Sequence, residues 1–231
     1  MKFVEGVLEE AHEIGLRIST ETLTVVCDGT TVALQDVTVD VAPSAFLGIE
    51  GPNGSGKSTL ANVLLGLAGR SLAVTGTVRY NSSDIYARGV SDRDRTRLRA
   101  ELFSYVPKVP SLDPRLSVVD NILRPYRLRG QRVDDGGLTS LLEDFGLAAF
   151  RGRSVRELSS GFQQRVNIVR GLVSPSPALV LDEPTDALDP GQKDAVLDRL
   201  ANHAGGKTIL VVSHERTGAP NALRLHGGRV L

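Results

Sequence analysis

Gly51-Pro52-Asn53-Gly54-Ser55-Gly56-Lys57-Ser58 fits the pattern G-x-x-x-x-G-K-[ST], and Thr59 follows it. Residues 45–50 before it read as an apolar strand and residues 57–67 as a helix, the context in which this pattern works as a phosphate loop. Its glycines let backbone N–H groups close around phosphate oxygens, and the start of the helix adds a favourable dipole. Lys57 is then placed to neutralise β- and γ-phosphates, Ser58 to offer its hydroxyl to Mg²⁺, and Thr59 to bond an adjacent phosphate. A glycine turn with a chance lysine is the bland alternative, which the strand-loop-helix context argues against.

Upstream of the loop, Leu23, Val25 and Cys27 alternate, as do Val32, Leu34, Val37, Val39 and Val41, so two strands are expected around the turn Asp28-Gly29. Ahead of them, Val4, Val7, Leu8, Ala11 and Ile14 recur at helical spacing, which predicts an amphipathic helix over the first fifteen residues, packed on the domain edge. Downstream, 75–80 and 103–106 read as strands and 117–129 and 138–146 as helices, with Pro125 kinking or ending the first of these. The last third alternates helix 160–173, strand 178–181, helix 190–203 and strand 209–212 before two short terminal strands. That order implies a parallel sheet with helical crossovers.

Strand 178–181 ends in Asp182-Glu183, and ligands of open parallel sheets bind at the carboxyl ends of strands. Asp182 is expected to hold Mg²⁺ through water, and Glu183 to act as general base or to orient water. Two adjacent acids are more often turn chemistry, but a phosphate loop upstream gives them a partner.

The 231 residues, with 27 Lys+Arg, 27 Asp+Glu and one cysteine, suit one sizeable core or one domain with a subdomain. Cys27 alone makes neither an internal disulfide nor a multi-thiolate zinc site, and acids in the opening segment break the apolar core that a signal peptide needs, so a cytoplasmic location is expected. Apolar runs such as 178–181 and 209–212 fall short of the roughly 20 residues that span a bilayer, so any membrane role must pass through a partner. Residues 88–156 carry fourteen Lys+Arg against nine Asp+Glu, but few aromatics interleave with them. They read as a solvated helical face, and no nucleic-acid partner is expected.

From about Thr22 to the C-terminus the chain resembles the ATP-binding subunits of ABC transporters. The phosphate loop, Leu158-Ser159-Ser160-Gly161 followed by Gln164-Arg165, Leu181-Asp182-Glu183-Pro184-Thr185, Ala187-Leu188-Asp189 and Ser213-His214 occur in the order of that family's Walker A, signature, Walker B, D-loop and switch histidine. The resemblance implies an ATPase that sandwiches two ATP molecules with Mg²⁺ in a dimer. Each ATP would lie between one subunit's phosphate loop and the other's Ser159, Ser160 and Gly161, with Asp189 at the subunit contact and His214 reaching γ-phosphate and water. It implies transmembrane permease partners, met near 117–129, and a location at the inner face of the membrane. Within the chain, Ser160 with Gln163 also fits a capping box and Asp189 before Pro190 a helix cap, while His12, His203 and His226 read as surface residues.

Four positions depart from that pattern. Lys108, after Tyr105-Val106-Pro107, stands where the family has a glutamine that reaches Mg²⁺; with three donors and no acceptor, lysine cannot ligate the metal but could pair with phosphate. Gln131 is the only glutamine between Thr59 and Gln163 and lies too far on to replace it. Ser160 and Phe162 replace a glycine and a glutamine of the signature, and Cys27 replaces an aromatic that stacks on adenine, which would weaken or relax base binding. An altered signature beside intact hydrolytic residues also suits one chain of a heterodimer.

The expected architecture is α/β: a P-loop NTPase core with a mixed, largely parallel sheet, an antiparallel β subdomain and an inserted α-helical subdomain. One ABC ATPase domain would fill 1–231, with 1–20 a helical extension, 21–84 and 161–231 the nucleotide-binding core and 85–160 the helical subdomain. Alternatives are a soluble ABC ATPase of a non-transport machine and an ATP-binding regulatory half of a heterodimer with weak turnover.

Overall fold

The computed structural model describes residues 2–69, 71–130 and 135–231, so Gln131 lies outside the described residues. They divide into two compact units, one of 1–103, 176–180 and 206–231 and one of 104–175 and 181–205. The first unit opens with α1 (Lys2–Ile14), β1 (Ile18–Cys27), β2 (Thr31–Val41), β3 (Phe46–Glu50), α2 (Lys57–Leu64), β4 (Leu72–Tyr80), β5 (Ser83–Asp84) and α3 (Asp92–Leu102). After β6 (Phe103–Val106), the second unit holds α4 (Val118–Leu128), α5 (Asp135–Asp144) and α6 (Ser160–Val173). β7 (Ala178–Asp182) begins in the first unit and ends in the second, α7 (Pro190–Asn202) follows, and β8 (Thr208–Ser213), β9 (Asn221–His226) and β10 (Arg229–Val230) return to the first.

In the first unit, β2-β1-β4-β5 form an antiparallel sheet in which Val25 faces Leu34 on one side and Val74 on the other. A second sheet includes β10-β9-β3-β8-β7 in that order, with β3 parallel to both β8 and β9 and β10 antiparallel to β9. Fully buried Ile18, Leu23, Leu34, Ile49, Leu60 and Leu64 make the core. Tyr80 is buried among them; its hydroxyl donates to Leu64 O at 2.6 Å, and burial pushes its pKa well up. α1 lays Val4, Val7 and Ala11, each at most 2% exposed, into this core and rests on α3. α3 is capped by Ser91 and Asp94, which bond each other's backbone N–H, and it buries Leu98 and Leu102, four residues apart on one face.

In the second unit, α6 packs against α4 and α5, burying Val166, Ile168 and Val169 in the unit that also buries Ile122, Leu142 and Phe145. Asn121 is fully buried and satisfied: its Oδ1 accepts from Asp113 N at 2.7 Å, and its Nδ2 donates to Asp113 O and Ser117 O, both at 3.0 Å. Pro125 lies inside an unbroken α4, so it does not end that helix. Among the arginines here, Arg115 pairs with Asp113 at 3.0 Å and Arg127 with Asp120 at 2.6 Å. Hydrogen bonds from Arg115 to the Asp113 carboxylate hold its pKa down at about 2. His12 and His226 are exposed, whereas His203 is half-buried and bonds Asp144 at 2.7 Å.

Candidate nucleotide site

The phosphate loop joins the carboxyl end of β3 to α2. Gly51 (φ +150°) leaves no room for a side chain, since a Cβ there would lie 2.2 Å from Leu225 O. At Gly56 (φ +98°) it would lie 2.7 Å from Ala33 O. Between them the chain folds back on itself, Ser55 N donating to Pro52 O at 3.2 Å and Gly228 N to Ser55 O at 3.1 Å. Lys57, 5% exposed, turns its ammonium inward and donates to Gly51 O at 2.7 Å and Pro52 O at 3.0 Å. Ser55 Oγ is buried with no hydrogen-bond partner. Pro52, Asn53, Gly54 and Ser58 face outward and Thr59 is half-buried.

The same sheet brings His214 to this loop. β3 pairs with β8 so that Glu50 stands opposite Ser213, which puts the residues that follow them, Gly51 and His214, at the same end of adjacent parallel strands. The exposed His214 imidazole lies 3.8 Å from the Glu215 carboxylate. Glu50, 6% exposed, anchors the following loop by accepting from Thr217 N at 2.8 Å and Thr217 Oγ1 at 3.0 Å. Arg224 stands 3.6 Å from its other oxygen.

The remaining candidates lie in the second unit. Glu183 is 8% exposed and holds φ +45°, uncommon for a residue with a side chain, at the start of a turn. That turn is closed by Asp186 N donating to Glu183 O at 3.3 Å and Leu188 N to Thr185 O at 3.0 Å. Asp182, half-buried, accepts from the Tyr105 hydroxyl at 3.2 Å. Burial first, then the nearby Asp182 charge, pushes the Tyr105 pKa up to about 12. Lys108 Nζ lies 2.6 Å from Asp186 Oδ2, so in this structure its ammonium meets a carboxylate. That bond, with Glu183 and Asp182 further off, raises its pKa.

The signature segment corrects one expectation. Ser159, not Ser160, is the N-cap of α6, and it makes no side-chain capping bond. Gln163 does not close a capping box, because its Nε2 donates back to Val155 O at 3.0 Å and Leu158 O at 3.1 Å. Two adjacent serines are chemically alike, so the pattern alone was one residue out of step. Gly161 lets the turn after Glu183 close on α6, since a Cβ there would lie 3.3 Å from Ala187 O. Phe162 packs on Phe150 with ring centroids 4.8 Å apart, and the Arg165 guanidinium lies over its ring. Asp189 caps α7 by position only, with no side-chain capping bond.

The structure thus gathers Gly51–Thr59 and His214 in the first unit and Lys108, Asp182, Glu183, Ser159–Gly161 and Asp189 in the second. Sequence reasoning missed Tyr105 and Asp186. The only signal for them was an aromatic three residues before Lys108 and an acid four residues after Asp182. Among the described residues no helix is long and apolar enough to cross a membrane.

A family model described as ABC transporter matches residues 34–186. An uncharacterised ABC transporter ATP-binding protein of Mycobacterium tuberculosis is 37% identical over 86% of this chain and 81% of its own length. The macrolide export ATP-binding/permease protein MacB of Neisseria meningitidis is 33% identical over 83% of this chain, but the match spans only 30% of that longer relative. Among solved structures, an ATP-binding cassette dimer in a post-hydrolysis state with ADP and Pi superposes with a TM-score of 0.73 at 26% identity, over 92% of this chain and 96% of that one. With the α/β fold and the phosphate loop in place, the match over most of the sequence settles the family: the chain is an ATP-binding cassette of the ABC transporter family.

Proposed function

We propose that this chain hydrolyses ATP with Mg²⁺ to drive transport through membrane permease subunits, working as a dimer that sandwiches the nucleotide. The observation that carries the reading is the phosphate loop. A buried ammonium turned into the loop, the orphaned Ser55 Oγ and glycine backbone that admits no side chain suit a polyphosphate. The oxygen donors Ser58 and Asp182 suit a hard cation such as Mg²⁺, which when bound neutralises phosphate charge.

In this reading Gly51–Thr59 wrap the phosphates and Lys57 offsets their charge. Glu183 takes the proton of the attacking water, and His214 orients that water and the γ-phosphate. Ser159, Ser160 and Gly161 of a second ATPase subunit close over the γ-phosphate, with Asp189 at the contact. Permease subunits would hold the assembly at the inner face of the membrane, and no nucleic acid is needed. The proposed domain remains a single ABC ATPase with a helical subdomain near 85–160.

The test is phosphate release from Mg²⁺-ATP by the complete complex, wild type against Glu183→Gln. The substitution keeps the side chain's size but removes the base, so turnover should fall at least about a hundred-fold while nucleotide affinity holds. Turnover untouched by Glu183→Gln overturns the assignment. Lys108 in place of a metal-reaching amide favours a second reading, an ATP-binding regulatory half with little turnover. A wild-type complex that binds ATP and releases no phosphate would support it.

A further inference from the structure

We propose that Lys108 is a positioning residue for the Glu183 turn: its ion pair with Asp186 clamps the segment from Glu183 to Asp189 within the second unit. Its part bearing on hydrolysis rests on the ATPase reading above, whereas the clamp itself does not. The bond is 2.6 Å long and joins residues 78 positions apart.

Both ends of the clamp are fixed. Lys108 leaves β6 just after Pro107, whose carbonyl accepts from Asn167 Nδ2 at 3.2 Å, and Asn167 is fully buried on α6. Three residues further on, Arg170 of the same helix donates to Ser111 O at 2.6 Å and to Asn167 Oδ1 at 2.6 Å. The loop that carries Lys108 is therefore fastened to α6 on either side of it. Asp186 belongs to the turn that closes against Gly161 in the first turn of that helix. The pair completes a ring of helix, loop, lysine, aspartate and turn.

Glu183 needs such a ring. It holds a left-handed backbone that a non-glycine residue keeps only where its surroundings over-determine it. An exposed ion pair adds little to global stability, and Lys108 is 55% exposed, so the pair acts by selecting the geometry of the turn rather than by holding the fold. Its ammonium also offsets a run in which Asp182, Glu183 and Asp186 crowd three carboxylates into five residues.

The experiment is a double-mutant cycle with Lys108→Met, Asp186→Asn and the two combined, with Lys108→Arg as the conservative variant. Amide hydrogen exchange at Asp186 and Leu188, whose N–H groups close the turn, is measured in the nucleotide-free chain. Each single substitution should raise exchange about five-fold, the double no further than either, and Lys108→Arg should stay within about two-fold of wild type. In the complete complex the same variants should lower kcat more than they raise KM.

Unchanged exchange, or single effects that multiply in the double, overturns the clamp. A raised KM in Lys108→Met with exchange unaltered would instead assign Lys108 to a nucleotide phosphate. Because exchange is read without turnover, a complex that lacks ATPase activity yet shows the non-additive exchange pattern defeats the functional reading and leaves the clamp standing.

Discussion

Gly56 carries two constraints at once, a positive φ and a backbone oxygen 2.7 Å from where its Cβ would be. Neither can be relieved by rotating a side chain, because Ala33 O belongs to β2 and Gly56 is the N-cap of α2. Gly56→Ala should therefore cost about 2–3 kcal/mol, combining strain with the displaced strand. A thermal melt should show it as a lower midpoint, whereas Gly54→Ala, where nothing lies within 4 Å, should cost only the strain of its positive φ. Equal midpoints for the two variants would show that the β2 contact is immaterial. Such local constraints are why the loop was legible in the sequence: the glycine, lysine and serine spacing is itself the geometry. The partner of Lys108 was not legible, since an ion pair between loops 78 residues apart leaves no periodic trace. The α6 cap was half legible, because Ser159 and Ser160 both suit a helix start and only the backbone tells them apart.

Helices show the same division between local and distant causes. The apolar spacing of α1 announced an amphipathic helix, and Val4, Val7 and Ala11 are the residues it buries. α3 was legible only as part of a solvated helical face and not as an element with its own bounds, because its eleven residues, rich in Asp and Arg, bury only Leu98 and Leu102. Its one local signal was the capping box from Ser91 to Asp94. The packing of α1 on α3 makes the N-terminal segment part of the first unit's core rather than an appended arm. Val7→Ala should then cost about 2 kcal/mol, the loss of two buried methyl groups together with the cavity they leave. In a chain of this size that is roughly 4–8 °C of melting temperature. Glu9→Ala on the exposed face of the same helix should shift stability by less than about 0.5 kcal/mol. If the two substitutions proved alike, α1 would be resting on the unit without supporting it.

For the whole molecule, the open question is whether one copy suffices. Pro52–Gly54 and Ser58 are exposed in the single chain, which leaves room for a second copy to cover a polyphosphate held at the loop. The first-turn N–H groups of α6 have no acceptor within their own helix, and Ser159 makes no side-chain bond to cap them. A helix start in that condition favours an anion, and two copies related by a two-fold axis could each supply one to the other. Glu183→Gln should trap the paired form by preserving nucleotide binding while blocking water activation. Light scattering of that variant should rise from 24.7 kDa toward twice that mass on adding Mg²⁺-ATP, and should not rise with ADP. Because ATP would be buried between copies, the shift should strengthen with protein concentration at fixed nucleotide. Serine at 160 and phenylalanine at 162 put a hydroxyl and a ring beside that helix start, so the paired form is the sharpest test of whether this signature closes on its own kind. A variant that binds ATP yet stays at the mass of one chain would place the complementary signature on a different ATPase subunit, and mixing with candidate permease complexes would then be the way to find it.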